Sequence, residues 1–135
     1  MKYLIVFLFL GLVSCGDDAS EIYDGLYREW YTNGQLEHEM NYKDGKRDGL
    51  QLAWHENGQL KFEENYKDGK CDGFLRAWYE NGQLRYEHNY KDGKRDGLFR
   101  YWYGNGQLRY ERNYKDHELL SKKCYDENGN KIICD

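Results

Sequence analysis

The sequence predicts an all-β fold, an elongated single-layer antiparallel meander made of four 24-residue hairpin repeats and a degenerate fifth. Three observations carry that reading. An Asp-Gly pair, a Trp, an Asn-Gly-Gln-Leu segment and an Asn-Tyr-Lys-Asp segment return in phase. Trp30, Trp54, Trp78 and Trp102 mark the phase, and Asn33, Asn57, Asn81 and Asn105 follow three residues on. The 135 residues include no proline and 17% aromatic side chains, a composition that suits pleated strands and argues against a disordered chain. Each unit also carries two short turn signals, so neighbouring strands must run antiparallel.

Residues 1–14 are expected to be an export signal. One Lys precedes an apolar run from Tyr3 to Val13, shorter than the ~20 residues a permanent bilayer-spanning helix needs. Leu12-Val13-Ser14-Cys15 resembles the lipobox of bacterial lipoproteins. That resemblance implies diacylglycerol on the Cys15 sulfur, cleavage just before it, and an exported protein anchored by lipid to the bacterial cell membrane or outer membrane. An ordinary secretory signal cut nearby is the alternative. Residues 15–22 then form a tether, 23–119 the repeat domain and 120–135 the degenerate hairpin. The formal charge of −4 leaves no nucleic-acid footprint.

Within a unit, Asn-Gly predicts a type I′ hairpin turn between two strands, and Lys-Asp-Gly-Lys at 43–46, 67–70 and 91–94 turns the chain into the next unit. In the fourth unit the strands are expected at 98–103 and 107–114. A two-residue loop would set Tyr103 opposite Leu108 and Tyr101 opposite Tyr110. Phe99, Tyr101, Tyr103, Leu108, Tyr110 and Tyr114 then share an aromatic face. Leu98, Arg100 and Trp102 share the reverse with Gln107, Arg109, Glu111 and Asn113. A bulge near the turn would reassign these pairs. Stacked units are expected to bring each Trp beside the next Trp and each Tyr beside a Tyr, contributing roughly 0.2–1 kcal/mol per contact.

The Asp-Gly opening, the Trp, the Tyr-x-Asn-Gly-Gln-Leu turn and the Tyr-Lys-Asp-Gly-Lys close resemble the MORN-repeat variant of bacterial proteins, including those of the YwqK-type antitoxin family. The resemblance covers Tyr23 to about Asp116. It implies an elongated antiparallel sheet serving as a scaffold, protein-binding or membrane-associated module. The antitoxin label implies a partner toxin, which for an exported lipoprotein would itself have to be exported.

No catalytic or metal site is expected, and no cofactor. His55 fills the slot of Tyr31, Tyr79 and Tyr103, His38 that of Phe62, Tyr86 and Tyr110, and His88 that of Met40, Glu64 and Arg112; His117 stands alone. No two share a column, so they do not converge as ligands must. The Asp-Gly-Lys-x-Asp-Gly loops pair their carboxylates with basic side chains, which favours turn chemistry over calcium. Cys124 and Cys134 flank the last Asn-Gly turn and are placed to form a disulfide, whereas Cys71, in an Arg slot, is expected to be a free thiol.

The expected function is a non-enzymatic interaction module using an aromatic face, with Tyr31, Tyr79, Phe99, Tyr101, Tyr103 and Tyr110 as candidate binding residues. Its partner is an unknown protein, an exported toxin or an envelope protein among the candidates; another copy or a glycan stacked on the rings would also fit. Toxin neutralisation and a structural envelope spacer are the alternative functions.

Overall fold

The computed structural model describes residues 24–135; the export signal, Cys15 and the whole tether lie outside the described residues. Among the described residues twelve strands form one antiparallel sheet: β1 (Gly25–Trp30), β2 (Leu36–Lys43), β3 (Lys46–Arg47), β4 (Gly49–Trp54), β5 (Leu60–Lys67), β6 (Lys70–Trp78), β7 (Leu84–Lys91), β8 (Lys94–Arg95), β9 (Gly97–Trp102), β10 (Leu108–Lys115), β11 (Glu118–Tyr125) and β12 (Lys131–Ile132). The spatial order follows the chain, with the two-residue β3 and β8 paired at the ends of β2 and β7. This is the predicted meander. Ten strands in line at about 4.8 Å spacing make a sheet roughly 43 Å across.

The turns exchange the roles that the sequence suggested. At Asn-Gly the loop has three residues, not two. The Tyr31 N–H donates to Gln35 O at 2.8 Å and the Gly34 N–H to Tyr31 O at 2.9 Å, and the same pair of bonds recurs at His55, Tyr79 and Tyr103. Only the Gly takes positive φ there, 86° at Gly34, as in a type I turn followed by one left-handed residue. The type I′ turn lies instead at Asp-Gly, where both central residues are left-handed: Asp44 at 51° and Gly45 at 71°. His117 takes the Gly slot of the last such turn, at 72°.

The longer Asn-Gly loop displaces the expected pairing by one residue, so Leu108 faces Trp102 and not Tyr103. A bulge at Arg109 then restores Tyr101 opposite Tyr110. The two offsets cancel, and the expected aromatic face survives beyond the bulge even though the Tyr103–Leu108 pair does not. Glu37, Lys61 and Arg85 are the bulge residues of the earlier units.

Unbroken rows cross the sheet as a result. On one face His38, Ala53, Phe62, Ala77, Tyr86, Tyr101, Tyr110 and Cys124 succeed one another on adjacent strands. By alternation Gln51, Glu64, Leu75, His88, Phe99 and Arg112 form a parallel row on that face. The buried residues of the sheet, from Gln51 to Tyr114, belong to this face. The reverse face carries Arg28, Glu39, Leu52, Glu63, Arg76, Glu87, Arg100, Glu111 and Lys123 in register.

The expected Trp-on-Trp stacking is absent among the described residues, whose ring contacts all involve Tyr, Phe and His. The reason is geometric. One repeat is two strands, so equivalent residues stand about 9.6 Å apart with another strand between them. Tyr and Phe escape this limit because both strands of the fourth unit, and β7 before it, supply rings to the same rows.

Both margins of the sheet are stapled from repeat to repeat. The hydroxyls of Tyr31, Tyr79 and Tyr103 donate to the carbonyls of Trp54, Trp102 and Tyr125 at 2.7, 2.9 and 3.0 Å. His55 Nε2 makes the same bond to Trp78 O at 3.1 Å, so that nitrogen carries the proton. Asn33, Asn57, Asn81 and Asn105 each donate an amide N–H to a carbonyl in the next turn. Gln59 packs so closely on Gly82 that a Cβ there would meet its Oε1 at 2.7 Å. The Asn-Gly-Gln recurrence is therefore an interlocking device: Asn reaches forward, Gly leaves room, and Gln fills it.

The last unit closes differently. Cys124 and Cys134 are joined by a disulfide with their Cα atoms 5.3 Å apart. Cys71 corrects the sequence expectation: it is 2% exposed and disulfide-bonded, with its partner outside the described residues. The register that sets it opposite Tyr66 turns it into the packed face, which its Arg-slot ancestry concealed.

Candidate functional site

The two faces differ in how fully they satisfy themselves. On the reverse face Arg28, Arg76 and Arg100 each place Nε 2.7–2.8 Å from a neighbouring Glu, at Glu39, Glu87 and Glu111 respectively. Longer contacts of 3.9 Å tie Arg76 to Glu63 and Arg100 to Glu87, and Lys123 reaches Glu111 at 3.3 Å. Glu111 is held below the usual carboxylate range, first by the Arg100 hydrogen bond. Apart from Leu52, these charges alternate in register and neutralise one another, and Leu26, Trp30, Leu50 and Phe74 stand exposed on the same face. The ion pairs are half-exposed, worth at most about 1 kcal/mol each.

The opposite face concentrates rings. Tyr86, Tyr101 and Tyr110 form a stack across three strands, with centroids 5.2 and 4.4 Å apart. Beside it His88 lies 4.3 Å from Phe99 and 4.8 Å from Tyr86 in stacked geometry, and Tyr114 meets Phe99 edge-on at 4.8 Å. Guanidinium groups cover the margins: Arg112 sits 4.7 Å from the Tyr110 centroid and Arg95 5.3 Å from that of Tyr114.

Burial dominates the electrostatics here. It pushes the Tyr66 and Tyr86 hydroxyls up to about 12 and raises Tyr101 further, with Tyr110 adding to the last. Glu64, 3% exposed, is also raised by burial, against the opposing pull of Arg47. His88 is lowered to about 4, first by burial and then by the Arg95 charge, so it is neutral at pH 7. Glu64 Oε1, His88 Nε2 and Arg112 Nε have no hydrogen-bond partner.

Those three residues occupy one column, with Met40 as its first member. Comparison of the units with one another sharpens the contrast. On the reverse face Glu39, Glu63, Glu87 and Glu111 are identical, as are Asn41, Asn65, Asn89 and Asn113. On the aromatic face one column reads Met40, Glu64, His88, Arg112, another Tyr27, Gln51, Leu75, Phe99, and a third Glu29, Ala53, Ala77, Tyr101. Variation among the repeats is greater on the ring-bearing face, although Tyr42, Tyr66, Tyr90 and Tyr114 repeat there and Leu52 and Phe74 break the pattern on the reverse. The sequence reading treated His88 as an isolated variant; the disagreement of its whole column was the available signal.

The candidate binding residues divide into two groups. Phe99, Tyr101 and Tyr110 lie together on the aromatic face. Tyr31, Tyr79 and Tyr103 stand at the turn margin, where their hydroxyls staple successive repeats. Among the described residues no cluster of three or more His, Cys, Asp or Glu side chains is arranged to hold a metal ion. His38, His55, His88 and His117 stay apart: His55 caps a carbonyl, and His117 Nδ1 accepts the Arg95 N–H at 3.2 Å.

Comparison with known proteins agrees with this repeat geometry. The MORN repeat variant family matches residues 23–44, 47–68, 75–92 and 95–116. No curated protein matches the chain. The matched segments cover more than half of the chain and coincide with the four hairpins: the chain belongs to the MORN repeat variant family.

Proposed function

We propose that the protein is a non-enzymatic interaction module that engages a protein partner through its aromatic face. One observation carries the reading: the Tyr86–Tyr101–Tyr110 stack and the His88–Phe99 pair gather on the face whose columns differ most between repeats, while the reverse face departs from its repeat mainly at Leu52 and Phe74. Stacked repeats build extended surfaces, and columns that differ between units give such a surface a character that changes along the array. Half-exposed rings supply large contact area at small entropic loss. Tyr110→Gln, checked for an unchanged sheet by circular dichroism, is expected to lower partner capture from intact membranes at least tenfold. Undiminished capture would sink the proposal.

The finer reading places this module on a bacterial membrane through lipid at Cys15, with an envelope protein or an exported toxin as partner. Leu12-Val13-Ser14-Cys15 supports it. Cys15→Ala should move the protein from the membrane fraction to the soluble one; persistence in membranes refutes the anchor. The mass of the mature N-terminal peptide, with or without a diacylglycerol thioether on Cys15, reads the same question independently. A spacer role draws support from the stapled margins, and is the outcome if no partner is captured by any face.

A further inference from the structure

We propose that Asn128 is a site of spontaneous deamidation and isoaspartate formation, selected from five Asn-Gly pairs by the side-chain hydrogen bonds that it alone lacks. The chemistry needs an Asn side chain free to turn toward the following backbone nitrogen, and a following residue without a Cβ. Asn33, Asn57, Asn81, Asn105 and Asn128 all precede Gly, and all five lie exposed in turns. Their side chains are not equally free.

In the first four turns the amide is held at both ends. Its Oδ1 accepts the N–H of the Gln two residues on at 2.9–3.0 Å. Its Nδ2 donates to a carbonyl of the next turn, at Glu56, Glu80, Gly104 and Glu127. Asn128 has neither bond. No further turn follows among the described residues to receive Nδ2. Asp126, standing where earlier units carry Tyr or His, takes the other role with its short carboxylate: Oδ1 accepts the N–H groups of Asn128 and Asn130 at 2.9 and 2.8 Å. The Asn130 N–H that would have fixed the Asn128 amide is thus diverted. The Gly nitrogen does not distinguish the sites, because the Gly129 N–H is bonded to Asp126 O at 3.0 Å just as the earlier glycines are bonded in their turns.

At Asn128 the backbone nitrogen of Gly129 attacks the side-chain Cγ. The N–Cγ bond forms, the Cγ–Nδ2 bond breaks, and Nδ2 leaves as ammonia with the proton from Gly129. Water then opens the succinimide at either carbonyl, giving isoaspartate or aspartate. The product places a second carboxylate beside Asp126 at the end of the array, without breaking any bond between repeats.

The test follows the five sites in the oxidised, mature protein aged at neutral to mildly alkaline pH, by peptide mapping for the amide-to-acid mass change and by enzymatic isoaspartate methylation. Asn128 should react about tenfold faster than any other Asn-Gly, the factor expected when two side-chain hydrogen bonds must open first elsewhere. In concentrated urea the five rates should converge, since the protection is structural. Asp126→Tyr restores the residue type of the earlier units and should slow Asn128 while leaving the others unchanged. Equal rates in the folded protein, a bias that persists in urea, or no effect of Asp126→Tyr would each overturn the proposal.

Discussion

His88→Phe should abolish a specific loss of stability on mild acidification. His88 is 9% exposed, stacked between Phe99 and Tyr86, and its pKa is lowered to about 4 by burial and then by Arg95. The unfolded chain returns it to about 6.5. Because the folded value is depressed, the neutral ring's stabilisation is complete above the unfolded pKa and is lost as pH falls toward the folded one. Between pH 7.5 and 5.0 the unfolded state takes up most of a proton that the native state refuses, which destabilises the wild type by about 2 kcal/mol through this group alone. Glu64 acts with the opposite sign, since burial raises its pKa and lowering the pH favours its protonated native form. It is present in both proteins and cancels in the difference. Phe matches the ring stacking without the charge and removes an unpartnered Nε2. Urea unfolding of both proteins at the two pH values gives the measurement. The wild type should lose about 2 kcal/mol more than His88→Phe; parallel losses would refute the burial of His88 against Phe99.

Other outcomes follow from particular bonds. Tyr79→Phe deletes the hydroxyl that donates to Trp102 O at 2.9 Å, and should lower unfolding free energy by about 1 kcal/mol; His55→Tyr should be neutral or stabilising by the same assay. Arg100→Met removes the contacts to Glu111 and Glu87, with a loss below about 1 kcal/mol that shrinks as salt is added. Replacing Cys124 and Cys134 together with Ser removes the bond between them, whose sequence separation is 10, and should weaken the last hairpin by about 2–3 kcal/mol, seen as faster amide exchange at Lys131 and Ile132 with the central repeats unchanged. His117→Gly relieves a left-handed non-glycine residue and should stabilise by up to about 1 kcal/mol, offset in part by the lost bond to Arg95.

The repeat phase made the architecture legible, because 24-residue recurrence with two turn signals admits few arrangements other than a meander. Turn types were less so. Asn-Gly suits both a type I′ loop and a type I turn with a left-handed Gly, and the choice rests on the Tyr, Asn and Gln contacts between units, which no single unit displays. The aromatic face was readable at Tyr101 and Tyr110 because the loop offset and the Arg109 bulge cancel. Trp does not stack on Trp because residues equivalent in sequence are two strands apart in space. Cys71 and the Glu64–His88–Arg112 column were obscured by consensus: aligning units exposes what repeats and hides the columns in which they differ.

The central claim is that the ring-bearing face meets a partner and the charge-laddered face does not. A photo-crosslinking phenylalanine analogue installed at Tyr110 or, separately, at Glu87 in cells, followed by irradiation and mass spectrometry of the adducts, tests it most directly. The account predicts one recurrent protein adduct from position 110 and none from position 87. Equal adducts from both positions, or adducts from 87 alone, would contradict it.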